Sequence, residues 1–224
     1  SQSGNYLLAG SALRNGSNNR DFVVAKLDVN GKPVAGFGEA ATPGCRAIAF
    51  DRGGSNIDTA LAIQLTNTNQ ILVAGESQTG TDDSRASVAL LTASGALDSS
   101  FGTNGRATFS LCNSCFVSRI GGLTRQSDGK IIVAGTGYMT TNPVNKGDIA
   151  VVRLLPNGAL DTTFGIMGKR LVSFMLDGGQ PSIDLGRTAA IGDDGKNVLI
   201  GGTIQVDAEH PSKRDVVLIP LKLQ

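Results

Sequence analysis

Two hundred and twenty-four residues carry 20 Lys+Arg against 19 Asp+Glu, 30 glycines, no tryptophan and only 4% aromatics. That balance leaves no basic surplus for nucleic acid, and no apolar run reaches the ~18 residues that a membrane helix needs. Residues 1–4 have neither the charged nor the apolar region of a signal peptide, so none is expected to remain, which leaves earlier removal open.

The first element is the apolar run Tyr6-Leu7-Leu8-Ala9-Gly10, separated by a polar stretch, Ser11 to Arg20, from a second run, Phe22 to Leu27. A turn glycine follows at Gly31, Phe37-Gly38 stands six residues later, and a short run, Arg46 to Phe50, completes the set. The same features then recur. Thr59 to Leu65 leads through a turn at 66–69 into Ile71 to Gly75, Ala86 to Leu91, Gly95, Phe101-Gly102 and Arg106 to Leu111. Ile120 to Thr124 leads through Ser127-Asp128-Gly129 into Ile131 to Gly135, Ile149 to Leu154, Gly158, Phe164-Gly165 and Lys169 to Phe174. Leu185 to Ile191 opens a last copy, with Asp193-Asp194-Gly195, Val198 to Gly202 and Val216 to Leu221. The glycines that close the Ala-Gly runs lie 65, 60 and 67 residues apart.

Each run is too short for a typical helix and rich in Val and Ile, while Asn-Gly and Asp-Gly between runs tolerate the positive φ of hairpin turns. These are antiparallel strands, lettered a to d within a unit, with Ala-Gly on b. Both faces of Phe22 to Leu27 are apolar, which places the strand in a sheet packed on both sides. Repeated four-stranded sheets of this kind describe the blades of a β-propeller. A β-solenoid repeats faster, and an immunoglobulin-like array needs about 100 residues per unit. The expectation is an all-β single domain over 1–224, with about four blades and roughly fourteen strands, at 5–57, 58–118, 119–184 and 185–224.

Asp128 to Gly135, Asp148 to Leu154 and Asn157 to Gly165 resemble the delta-60 repeat of bacterial β-propeller proteins. The resemblance covers essentially the whole chain and implies a secreted, periplasmic or surface-exposed bacterial protein. It brings no shared catalytic residue. Copy one departs from it with Val34 where Asp98 and Asp161 stand, followed by an insertion carrying Pro43 and Cys45. Copy two has Arg85 where the others have Asp21, Asp148 and Asp215. The first blade lacks strand a and the last lacks d, so the expectation is either a ring with two three-stranded blades or an excerpt of a larger propeller that self-associates through exposed end blades.

Alternation of strand direction gathers the a–b and c–d turns at one end of the blades and the b–c and d–a loops at the other. At the first end, Phe37, Phe101 and Phe164 are expected to plug between blades, and Asp98 and Asp161 to cap turns. Repeated calcium sites are the competing reading, without a dense oxygen-ligand loop in support. At the second end the copies differ, and binding residues concentrate on variable loops held by a rigid scaffold. The candidates are Arg14, Arg20, Glu76, Asp82, Asp83, Tyr138, Asn142, Lys146, His210, Lys213 and Arg214, beside the plainer alternative of a solvated loop. The mixed signs select no ligand charge.

Catalysis finds little support. The single histidine, His210, sits beside Pro211, no Gly-x-Ser-x-Gly elbow is present, and Gly36-Phe37-Gly38-Glu39-Ala40-Ala41 opens no helix that would make it a dinucleotide fingerprint. A carbohydrate hydrolase using acids near the blade axis remains as an alternative. Cys112-Asn113-Ser114-Cys115 in a d–a loop reads as a local disulfide, against free thiols or a metal or redox site, with Cys45 unpaired. The expected role is therefore a non-enzymatic module for a protein or glycan partner, with no cofactor, no metal, no nucleic acid and no membrane insertion. A purely structural segment of a larger surface protein is the alternative.

Overall fold

The computed structural model describes residues 4–13, 19–53, 56–80, 83–139, 147–176, 180–192, 195–210 and 212–223. These residues form strands, turns and bends, and none of them lies in a helix. The chain divides into two compact units, 1–81 with 87–108, and 82–86 with 109–224.

The first unit opens with β1 (Tyr6–Leu13) and β2 (Arg20–Leu27), joined by β5 (Cys45–Ile48) on the far side of β2. The insertion before β5 carries a two-residue ribbon, β3 (Gly38–Glu39) with β4 (Thr42–Pro43). The second sheet holds β6 (Ile57–Leu65), β7 (Ile71–Gly80), β8 (Asp83–Leu91) and β9 (Arg106–Phe109) in that order; Asp83–Ala86 and Phe109 fall to the other unit.

The second unit has β10 (Val117–Arg125), β11 (Ile131–Tyr138), β12 (Gly147–Leu154) and β13 (Lys169–Val172) as a consecutive four-stranded sheet. A ribbon of β14 (Met175–Leu176) and β15 (Gln180–Pro181) precedes β16 (Asp184–Ile191), β17 (Asn197–Gln205) and β18 (Arg214–Lys222), which make a three-stranded sheet. Among the described residues, fourteen strands therefore belong to four blade-like sheets, and the two ribbons supply the other four.

The inner strands β8, β11 and β12 are buried on both faces along most of their length. All eight residues of β12 are buried. In the first unit Phe22, Val24, Ile48, Ile71, Val73 and Leu91 share one core with Phe37. In the second, Ile132, Ile149, Val151, Val198 and Ile200 surround Phe164. Phe37 also lies against the Gly95 turn of the next blade, and Phe101 is fully buried. Burial of each ring stabilises by roughly 1.5–3 kcal/mol.

A bulge recurs in strand a of the last three blades. The register slips at Ala60/Ala62, Ile120/Gly122 and Gly186/Thr188, inserting Leu61, Gly121 and Arg187. Gly75 and Gly135, the glycines of the Ala-Gly motif, lie against this bulge, and a Cβ on either would overlap the carbonyl oxygen of Thr59 or Arg119. Gly10 occupies the matching place on β1, where no strand a is described, and meets nothing within 4 Å. The glycine is thus demanded by close backbone approach.

Candidate functional site

The turns after strand c repeat one device. Asp98 Oδ1 accepts the Ser100 N–H at 3.1 Å, and Asp161 Oδ1 accepts the Thr163 N–H at 3.1 Å. The hydroxyls of Ser100 and Thr163 donate to the same oxygens at 2.6 Å. These bonds, first among the causes, hold the Asp98 carboxyl below its ordinary value. Such Asx turns fix the chain before each buried Phe.

At the opposite end a second device recurs. The N–H two residues past strand d is taken by a side chain of the next strand a: Phe50 N–H by Asp58 Oδ2 at 2.8 Å, Leu111 N–H by Ser118 Oγ at 3.0 Å, and Phe174 N–H by Asp184 Oδ2 at 2.7 Å. Beside Asp58 stands the buried Asp21 of β2, and beside Asp184 the buried Asp148 of β12, each pair close enough to repel. Burial pushes the Asp58 carboxyl up to about 6, and Asp21 and Asp51 push the same way against the bonds from the Phe50 and Asp51 amides. Burial likewise raises Asp148 and Asp184. Arg106 faces Asp51 and Asp21 from β9, with Arg46 nearby.

Where the c-strand residue is Arg85, the a-strand residue is Ser118. Arg85 Nη1 donates to the Cys115 carbonyl at 2.8 Å and Nη2 pairs with Asp83 at 3.2 Å. The departure at copy two is therefore a two-residue exchange that ties β8 to the 112–115 loop. Cys112 and Cys115 are disulfide-bonded there, with Cα atoms 5.2 Å apart, and Cys45 is a free, half-buried thiol.

The carboxylate pairs give a pH signature. The unfolded chain releases the Asp58 proton near 3.8, while the folded chain holds it to about 6. Folding stability therefore falls as pH rises through that window. Asp58→Asn keeps an acceptor for the Phe50 amide, and is expected to add about 1 kcal/mol at pH 8 and to flatten the slope between about pH 4 and 6. Urea denaturation across pH 4–8 checks this; an unchanged slope contradicts it.

The sequence-nominated residues lie as follows. Arg14, Asp82, Asn142 and Lys146 are outside the described residues. Arg20, Glu76, Asp83, Tyr138 and Arg214 belong to strands rather than loops, because β2, β7, β8, β11 and β18 run further than their apolar cores. The stretch 76–84, expected as a loop, is strand up to Gly80 and again from Asp83. Tyr138 takes the Arg119 guanidinium over its ring at 5.8 Å, and Arg214 Nη1 donates to the Ile183 carbonyl at 2.7 Å. His210 and Lys213 meet at Asp207, with Nδ1 3.1 Å and Nζ 3.7 Å from Oδ2. The bond from His210, first among the causes, lowers the Asp207 carboxyl. The carboxylate that meets the histidine is thus Asp207. His210 and Lys213 are largely exposed. Among the described residues no group of three or more His, Cys, Asp or Glu is arranged to hold a metal ion.

One family model matches the chain, the β-propeller domain of unknown function DUF5122, over residues 66–101 and 126–164. Each matched stretch runs from the a–b turn through the Ala-Gly strand and strand c to the buried Phe. The fold is a β-propeller. Both matched stretches also include the segment between strands b and c of their blade. No curated protein matches the chain.

Sequence reasoning missed the carboxylate pairs. Asp58 and Asp184 sit one residue before the apolar runs that marked strand a, and aligning the copies on the runs themselves would have exposed them.

Proposed function

We propose that this propeller is a non-enzymatic binding module of the delta-60 repeat kind, from a bacterium and exported to the periplasm or cell surface, engaging a protein or glycan through its b–c and d–a loops. One observation carries this reading. A constant strand scaffold presents a different device at this end of successive blades: the disulfide-closed loop at 112–115, the β14–β15 ribbon, and the Asp207–His210–Lys213 cluster. Variable loops on a fixed scaffold are where recognition residues collect. A glycan array together with capture from a cell-surface extract tests it, using wild type and a His210→Ala/Lys213→Ala/Arg214→Ala triple variant. Saturable binding weakened in the variant supports the module; no binding by wild type in either assay counts against it.

A second reading has its own observation. β18 exposes Val216 and Leu218, at 81% and 62%, and β1 exposes Tyr6 and Leu8, at 57% and 52%. Apolar sheet surface of this kind suits a structural segment that packs against further protein, or self-association through end blades. Light scattering separates the two: a clean monomer at high concentration speaks against self-association. A hydrolase working through paired acids draws less support, since Asp58 and Asp184 each use an oxygen to hold a backbone amide.

A further inference from the structure

Within the second unit, outer strand β13 borders a cavity of about 470 Å³, walled by Lys169, Arg170, Leu171 and Val172, by Ile166 of the preceding turn, and by the disulfide loop at Cys112. That volume lies in the range of small-molecule sites. The wall contains two cations and no carboxylate. Neither Lys169 nor Arg170 has an ion-pair partner among the described residues. Arg170 instead lies over the Phe164 ring at 5.4 Å, which fixes its guanidinium. The rest of the wall is mostly apolar, and Ile166 and Leu171 are open to solvent at 73% and 42%.

A cation beside apolar surface loses hydration without gaining a partner. An apolar surface left open to water gains free energy when covered. One ligand satisfies both: a small molecule with a single negative charge and an apolar body. We propose that this cavity binds an amphiphilic carboxylate, an alkyl or aryl acid, with its carboxylate at Lys169 and its apolar body against Ile166 and Leu171. The cavity shares the disulfide loop at Cys112 with the devices described above, but the groups that would hold the ligand, Lys169, Ile166 and Leu171, lie outside them, so the site stands whether or not those loops bind a macromolecule. Burial, with the Arg85 charge second, holds the Lys169 amine below its ordinary value. A bound carboxylate reverses that pressure and draws the amine to its charged form.

The test is calorimetric titration of the full chain with octanoate, with octanol as the uncharged counterpart. Saturable one-to-one binding of octanoate is expected, at least about tenfold weaker for Lys169→Met and for octanol, as loss of a charge-assisted bond implies. Ile166→Glu, a substitution at an exposed position that leaves the fold intact, is expected to abolish it by placing a like charge in the wall. Amide shifts on octanoate addition should concentrate at residues 165–172. Absence of saturable octanoate binding to wild type overturns the proposal, as does binding equal in both variants, or shifts centred elsewhere. Thermal melts of both variants establish that any loss is not unfolding.

Discussion

Arg153→Met is expected to destabilise the protein by about 3–5 kcal/mol, the cost of leaving a buried charge without its partner. Arg153 lies on β12 almost wholly inaccessible, with Nε 2.7 Å from Asp161 Oδ2. Its Nη1 donates to the Leu223 carbonyl, its Nη2 to Thr163 Oγ1 at 3.1 Å, and the guanidinium carbon lies 4.8 Å from the centre of the Phe164 ring. Burial alone would raise the Asp161 carboxyl, but the Thr163 bonds and the Arg153 charge hold it below the ordinary value. Its ionised form thus contributes stability at neutral pH that is lost as pH falls through the folded value. Without Arg153 only the Thr163 bonds oppose burial, and the carboxyl should move up. Guanidinium denaturation at pH 7 measures the cost. The double variant Arg153→Met/Asp161→Asn should recover part of it, because no charge is then left buried. A loss under about 1 kcal/mol in the single variant would refute this account of the network.

Gly135→Ala is expected to cost about 1–3 kcal/mol or more, since the new Cβ meets the Arg119 carbonyl, part of the bulged backbone, and not a side chain that can turn away. Gly10→Ala changes the same motif residue on β1 and should fall within about 0.5 kcal/mol of wild type, because open space surrounds it. Thermal denaturation of the two variants side by side reads the contrast. Equal losses would mean that the glycine serves strand propensity and not the close approach of the bulge.

The period and the strands were legible because they rest on local patterns. Alternating Val and Ile runs, Asn-Gly and Asp-Gly turns and the Phe-Gly spacing each act over a few residues, and the fourteen blade strands found match those expected. Strand length was less legible where polar side chains pair within a sheet. Ser77 and Ser87 bond each other at 2.7 Å while fully buried, so a stretch that reads as loop by polarity is strand by pairing. The bulges were hidden, because an inserted residue looks like a slip in the apolar alternation. The Asp21–Asp58 and Asp148–Asp184 pairs bring together residues from different repeats, a single repeat holding only half of each, and the β13 cavity draws Cys112 and Leu221 from repeats other than that of β13. The loop candidates were identified by type and position alone; the structure brings His210 and Lys213 to one carboxylate and leaves Arg20 and Glu76 in strands.

The exchange of paired acids for Arg85 and Ser118 makes the order of the blades a written property of the chain. A strand c that begins with Asp expects a neighbour that brings Asp, and one bearing Arg85 expects Ser118 with a carbonyl at Cys115. Repeats that look interchangeable by length and strand pattern therefore carry different addresses on their leading and trailing edges. Moving a blade would misaddress two junctions at once, setting a guanidinium against a buried acid's place or leaving an acid to face a hydroxyl.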